Sequence, residues 1–384
     1  MTFPQEVDIR VVSAGLVSAA MALCAAESAW AAKPMTAPKI RVGLQTTANW
    51  DALGDLGYSQ ASLGRGAFPK SGFRLKGLKI VLSGDATENL GYYVMLDPAN
   101  LLTGSNLSVQ STPAGGTIGN TVSSTFGIVN QAYGIFDAGL ARLMVGQMKV
   151  PASAEWLVSA LNGPTVESSV FASGANSGDF GAVNDVGALA SVGSGGPIAL
   201  AAGIFNGSGG NIAASSPKKI AVTRIDFKPL ETFKLGASYL YGFKQGANAA
   251  AGPLFRNRHG ADLEIALAPL KLNAEALFGV DDGKAESPKF GWYGMATFTA
   301  NADHDFLAKF EGWNPNYATG LTGPASLQQY SALLGWTWSL GAPQTKFQLN
   351  YVHDFLPSAL GGTVAGFLPD GANDRILSQL QVVL

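Results

Sequence analysis

The stretch Gly72–Asp97, GFRLKGLKIVLSGDATENLGYYVMLD, reads as two strands joined by a short turn. Leu78, Ile80 and Leu82 fall on one face of the first strand, and Lys79, Val81 and Ser83 on the other. Gly84-Asp85-Ala86-Thr87-Glu88-Asn89 then interrupts the run with turn formers. The second strand sets Tyr92, Val94 and Leu96 against Tyr93, Met95 and Asp97. Period-two alternation over about ten residues, between polar turns, is the pattern of a transmembrane β-barrel whose strands face lipid on one side and water on the other. A soluble sandwich alternates in the same way, so the weight falls on repetition of the unit behind an export signal.

Repetition is present. Upstream, Ile40–Asp51 has the look of a first strand and Ala52–Ser71 of a loop. Downstream, Leu235, Ala237, Tyr239 and Tyr241 alternate with Lys234, Gly236 and Ser238. Ala261, Leu263, Ile265 and Leu267 alternate with Asp262, Glu264 and Ala266, and Phe306, Ala308 and Phe310 with Lys309 and Glu311. Phe347, Leu349 and Tyr351 alternate with Lys346, Gln348 and Asn350. Residues 32–384, at about 22 per strand and connection, give about 16 strands, a porin-sized antiparallel barrel. Pro98–Thr125, rich in Gly, Ser, Thr and Asn, suits a long external loop that folds into the lumen.

The chain has 384 residues, 48 of them Gly, with 47% hydrophobic and only 14% charged. No apolar run beyond the N-terminus is long enough for a membrane helix. Gly187–Phe205 comes nearest, but Ser, Gly and Pro197 break it and small-residue strands account for it. Residues 1–31 hold Arg10 against Glu6, Asp8 and Glu27, so the remainder balances at 24 basic and 24 acidic residues. That balance excludes the uniform basic field of a nucleic-acid binder. Arg10, the apolar Val11–Ala26 and Ala29-Trp30-Ala31 form a secretory signal with a small-x-small cleavage site, despite Glu6 and Asp8. The expected division is a signal peptide at 1–31 and an outer-membrane barrel at 32–384. Cys24, the only cysteine, lies in the leader after Leu23, too large a residue for a lipoprotein site. The mature part therefore has no disulfide, thiolate metal site or cysteine nucleophile.

Phe126–Pro151, FGIVNQAYGIFDAGLARLMVGQMKVP, carries the most specific signal. Ala132-Tyr133 followed by Val145-Gly146-Gln147-Met148-Lys149-Val150-Pro151 matches an A-Y strand and a V-G-Q-F-K-x-P motif, with Met148 for Phe. Phe73–Gly84 fits the hairpin F-R-[IL]-[RK]-x-[AL]-[RK]-[LI]-x-L-x-G, and Gln379-Leu380-Gln381-Val382 echoes a closing R-L-Q-V strand. On these residues the chain resembles the phosphate-selective porin O and P family of Gram-negative outer membranes. The resemblance covers most of residues 40–384. It implies a homotrimer in outer-membrane lipid, placed there by barrel-assembly machinery that reads the closing strand, here ending on Leu384 in place of the usual Phe. It also raises phosphate or anion selectivity, against which Gly77 and Gln379 stand where the family has Arg.

Strand parity, with the motif match for Lys149, nominates a pore lining of Lys79, Lys149, Arg224, Lys234, Glu264, Glu275, Lys309, Glu311 and Lys346. Lys149, Lys79, Lys309 and Glu311 are first choices for setting conductance. A ring of basic groups concentrates anions, but acidic neighbours such as Asp97 and Asp262 predict weak selectivity. Trp336 and Trp338, with Trp292 and Tyr293, suit an aromatic girdle at the lipid headgroups. His259, His304 and His353 lack metal-ligand spacing, and Asp281-Asp282-Gly283 is a turn signal before it is a calcium site. No nucleophile elbow, P-loop or dinucleotide fingerprint occurs, so no catalysis or cofactor is expected. The expected function is passive diffusion of small hydrophilic solutes and ions through an outer-membrane porin. The alternatives are an anion-selective porin and, from another class, an exported β-sandwich that binds glycans or partners.

Overall fold

The computed structural model describes residues 37–51, 71–99, 127–159, 161–172, 180, 183–212, 216–244, 254–281, 288–314, 329–342, 344–355 and 374–384. The leader, Cys24 and nearly all of Pro98–Thr125 lie outside them. The strands are β1 Lys39–Asp51, β2 Gly72–Asp85, β3 Leu90–Leu96, β4 Val129–Asp137, β5 Ala141–Lys149, β6 Asn184–Val192, β7 Ile198–Phe205 and β8 Ile220–Leu230. The second half continues with β9 Phe233–Lys244, β10 Leu254–Leu267, β11 Leu270–Asp281, β12 Lys289–Thr299, β13 His304–Asn314, β14 Gln329–Ala342, β15 Thr345–Phe355 and β16 Asp374–Val383. Each pairs antiparallel with its sequence neighbours, and β16 returns to β1 to close a barrel of 16 strands. At the seam the Val42 N–H donates to the Leu384 carbonyl at 3.1 Å, and the Leu384 N–H returns to Val42 at 2.9 Å. Closure pairs the backbone groups that would otherwise sit in hydrocarbon, each costing several kcal/mol. A two-sheet sandwich is excluded by this topology.

One end of the barrel carries short turns, such as residues 86–89 between β2 and β3 and 231–232 between β8 and β9. β1 begins and β16 ends at this end, which in barrels of this kind is the periplasmic one. The longer connections, β1 to β2, β3 to β4 and β5 to β6 among them, join strand ends at the other end of the barrel. The hairpin that opened the reading is β2–β3, with Ser83 opposite Tyr93 and Val81 opposite Met95. The stretch Gly187–Phe205 is divided between β6 and β7, as its small residues suggested.

The alternation separates two surfaces. Phe73, Leu235, Phe306, Phe310 and Leu349 are exposed on the outside, while Lys79, Val81, Lys309 and Gln348 are buried on the inside. Trp292, Phe310, Tyr330 and Phe355 form one outward aromatic cluster toward the long connections. Trp336 and Trp338 stack at 6.4 Å near the turns, with His304 and Phe347 beside them. Tyr293 is a correction. As the neighbour of outward Trp292 it must point inward, and it is buried in the lumen beside Phe171.

Candidate functional site: a segment folded into the lumen

Between β5 and β6 the described residues of the connection, 150–159, 161–172, 180 and 183, reach around the barrel interior. Side chains or backbone of this segment bond to Arg74 of β2, Ser238 of β9, Glu275 of β11, Lys309 of β13, Asn350 of β15 and Gln381 of β16. A segment that meets the buried faces of strands so far apart in a closed barrel must lie within it.

The V-G-Q-M-K-V-P motif launches this segment. Gly146 has φ 136°, and a Cβ there would strike the Ala132 carbonyl of the paired strand. Gln147 donates to the Val129 carbonyl at 2.6 Å and accepts from the Asn211 N–H at 2.6 Å, tying β5 to the start of β4 and to the β7–β8 connection. Met148 and Val150 are buried against Leu189, Phe205, Val222 and Leu240. Lys149 Nζ donates to the Trp156 and Val158 carbonyls, each at 2.6 Å. It thereby holds the end of α1 (Ala154–Leu157), a single turn whose start is capped by Ser153.

Two ionic latches then fix the segment to the wall. In the first, the Glu275 carboxylate accepts the Ala154 N–H at 2.8 Å and the Glu155 N–H at 3.0 Å. Lys309 Nζ sits 3.0 Å from both Glu155 and Glu311. Those two carboxylates in turn accept the Ser169 and Val170 N–H groups. In the second, Glu167 binds Arg74 at 3.0 Å and Arg375 at 3.2 Å. Beside it, Lys76 donates to the Val166 carbonyl, and Lys346 to the Gly163 carbonyl at 2.6 Å. Charge-assisted bonds of this kind, shielded from bulk water, are about twice as strong as neutral ones. Apolar knobs seat between the latches. Phe171 fills the space over Gly291, Leu161 the space over Gly43, and Val166 packs among Leu307, Leu333, Val352 and Leu377. Burying each such side chain contributes about 1.5–3 kcal/mol.

The candidate residues named from the sequence fall into two groups here. Lys149, Glu275, Lys309, Glu311 and Lys346 hold the inserted segment, and Lys79 is buried in an ion pair with Asp97. Arg224, also buried, bridges Asp226 and Asp262. Lys234 and Glu264, near the turns, keep 39% and 42% of their side chains exposed and pair with Asp226 and Lys271. Sequence reasoning passed over Glu155, Glu167, Arg74, Lys76, Arg375 and the pair Arg256 and Arg258. The last two alternate in phase with Asp262 and Glu264, a legible signal, and with Lys289 they converge on Asp281. Lys76 was hidden by a register shift between Gln45 and Thr46, which lets both Lys76 and Lys79 face inward.

A closed barrel, apolar outside and ionic within, with a chain segment spanning its lumen, is the architecture of an outer-membrane diffusion channel. A family model for phosphate-selective porin O and P matches residues 64–257, and the chain belongs to that family. No curated protein matches it. Among solved structures, it is similar to the trimer form of OmpT from Vibrio cholerae, at 10% identity, TM-score 0.58, covering 92% of this chain and 100% of that one. The channel DcaP of Acinetobacter baumannii matches at 11% identity and TM-score 0.56, covering 90% of this chain and 97% of that one. The anion-selective porin from Comamonas acidovorans matches at 11% identity and TM-score 0.54, covering 90% and 98%. The protein is a porin of the outer membrane, a channel for passive diffusion.

Proposed function

We propose that the channel passes small hydrophilic solutes and ions with weak ion preference. The supporting observation is the interleaving of charge along the lumen, where Arg224 meets Asp226 and Asp262, Lys271 meets Glu264, and Lys309 meets two glutamates. Such a lining leaves little net field to exclude either sign. The residues that set conductance act in two ways in this reading. Lys234 and Glu264 do so as exposed charges, while Lys149, Glu275, Lys309, Glu311 and Lys346 do so by fixing the segment that narrows the passage. The protein is exported by its N-terminal signal, inserted by barrel-assembly machinery through β16, and assembled as a homotrimer in outer-membrane lipid.

One observation favours the anion-selective alternative. Arg256, Arg258 and Lys289 gather on Asp281 at the long-connection end, bringing three basic groups together. Single-channel recording in a chloride gradient, followed by phosphate titration, separates the two readings. Discrete steps with a small reversal potential and no phosphate block support the weakly selective channel. A strong anion potential with block at millimolar phosphate supports the alternative.

A further inference from the structure

The ionic latches occupy the β11–β2 side of the lumen, but the inward faces of β3–β5 are different in kind. Tyr93 and Tyr133 stack there with centroids 5.2 Å apart and planes 22° from parallel. Ile135 opposite Met144 continues the strip by one row toward the turns. All four side chains are half-buried, and Tyr133 and Met144 fringe the apolar cluster on which Met148 and Val150 rest. Basic groups flank the strip, Arg142 on its turn side and Arg41 across β2. Exposed Arg142 shares the inward face of β5 with Met144 and pairs with Asp137 at 2.9 Å. Arg41 stands opposite Val81, itself opposite Met95, the inward neighbour of Tyr93 on β3. That register sets it two strand spacings, about 10 Å, from Met95, with Tyr93 one inward row beyond and Tyr133 one strand further. Exposed Arg41 donates to Gln344 at 3.4 Å.

We infer that this strip binds the ring of an amphipathic organic anion in transit, with Arg41 and Arg142 taking its carboxylate. The inference rests on the channel reading above and names the solute class for it. A water-filled lumen gains nothing from half-exposed stacked rings, whereas a planar apolar solute displaces water from them. Inorganic anions have no such surface to offer. Guanidinium groups on the same inward surface as the stack fit a solute with one ring and one carboxylate.

The test is chloride current through the refolded protein in a planar bilayer, with benzoate as the probe and acetate as the ring-free control. Benzoate is expected to reduce the current at concentrations where acetate does not. Replacing both rings (Tyr93→Ala with Tyr133→Ala) is expected to weaken that block about threefold or more, as loss of aromatic contact predicts. The corresponding Phe pair should retain it, and Arg41→Gln should weaken it. Equal effects of benzoate and acetate on the unaltered protein overturn the inference without any variant, while leaving the channel reading intact. Undiminished block in the Ala pair also overturns it. A folded barrel that passes no chloride current overturns the channel reading and this inference together.

Discussion

At the scale of single residues, Glu275 shows how parity and partner must be read together. Its alternation places it inward, which sequence shows, but its two oxygens are spent on the Ala154 and Glu155 N–H groups, which only the fold shows. A hydrogen bond to a charged group contributes about 1.5–3 kcal/mol. Glu275→Leu is therefore expected to free the start of the inserted segment, raising single-channel conductance and admitting larger sugars in liposome swelling. Glu275→Gln, which keeps one acceptor oxygen, should do so less, and an unchanged conductance in the Leu variant would remove Glu275 from the latch. The same logic revises expectations for Lys309, buried to 4% exposure between Glu155 and Glu311. Lys309→Glu would gather three carboxylates with no cation among them. It should change conductance and also move the reversal potential toward cations, because the segment moves and the lumen wall becomes more negative by two charges. A large cation shift at constant conductance would instead show Lys309 acting on the permeant ions directly.

At the scale of elements, the strands were legible and the inserted segment was not. A strand half in lipid and half in water must alternate, so β2, β3, β9, β13 and β15 carry their own assignment in the chain. The segment carries no period. Its apolar residues, Leu161, Val166, Phe171 and Phe180, are scattered through a turn-rich stretch, and each packs against strands distant in sequence. Polarity pointed to Pro98–Thr125 as the lumenal loop, a stretch outside the described residues. The better clue was buried-type residues in a connection that water should have kept polar. Gly291 tests this packing. A Cβ there would lie 2.7 Å from the Phe171 ring, far inside van der Waals contact. Overpacking of this sort costs about 1–3 kcal/mol, so Gly291→Val should unseat Phe171 without opening β12. The expected result is a heat-resistant barrel with noisier, larger conductance steps. Quiet wild-type steps would show that the segment tolerates the intrusion.

For the molecule as a whole, the outer surface is uneven in a way the strand-by-strand reading did not reveal. Outward aromatic side chains crowd β9–β15, where Tyr241, Phe255, Trp292, Phe310, Tyr330 and Phe355 ring one end and Phe306, Trp336, Trp338 and Phe347 mark the other. On β5–β7 the outward positions carry no ring: Leu143, Val145, Ala188, Ala190, Val192, Leu200, Ala202 and Ile204. Aromatic residues belong at lipid headgroups, whereas small residues let backbones approach one another closely. In the proposed homotrimer, the arc from β16 through β1 to β8 is then the one turned toward other copies. At about 4.8 Å per strand and an apolar band about 25 Å tall, it offers roughly 1,000 Å², on the scale a specific interface needs. The sequence has one cysteine, Cys24, within the proposed signal at 1–31, so in the proposed mature barrel a new thiol can carry a single spin label. A label at Ala188→Cys on β6 is expected to be shielded from oxygen dissolved in the lipid, and one at Ala296→Cys on β12 to be open to it. Equal accessibility would turn both arcs toward lipid and leave the trimer without this surface.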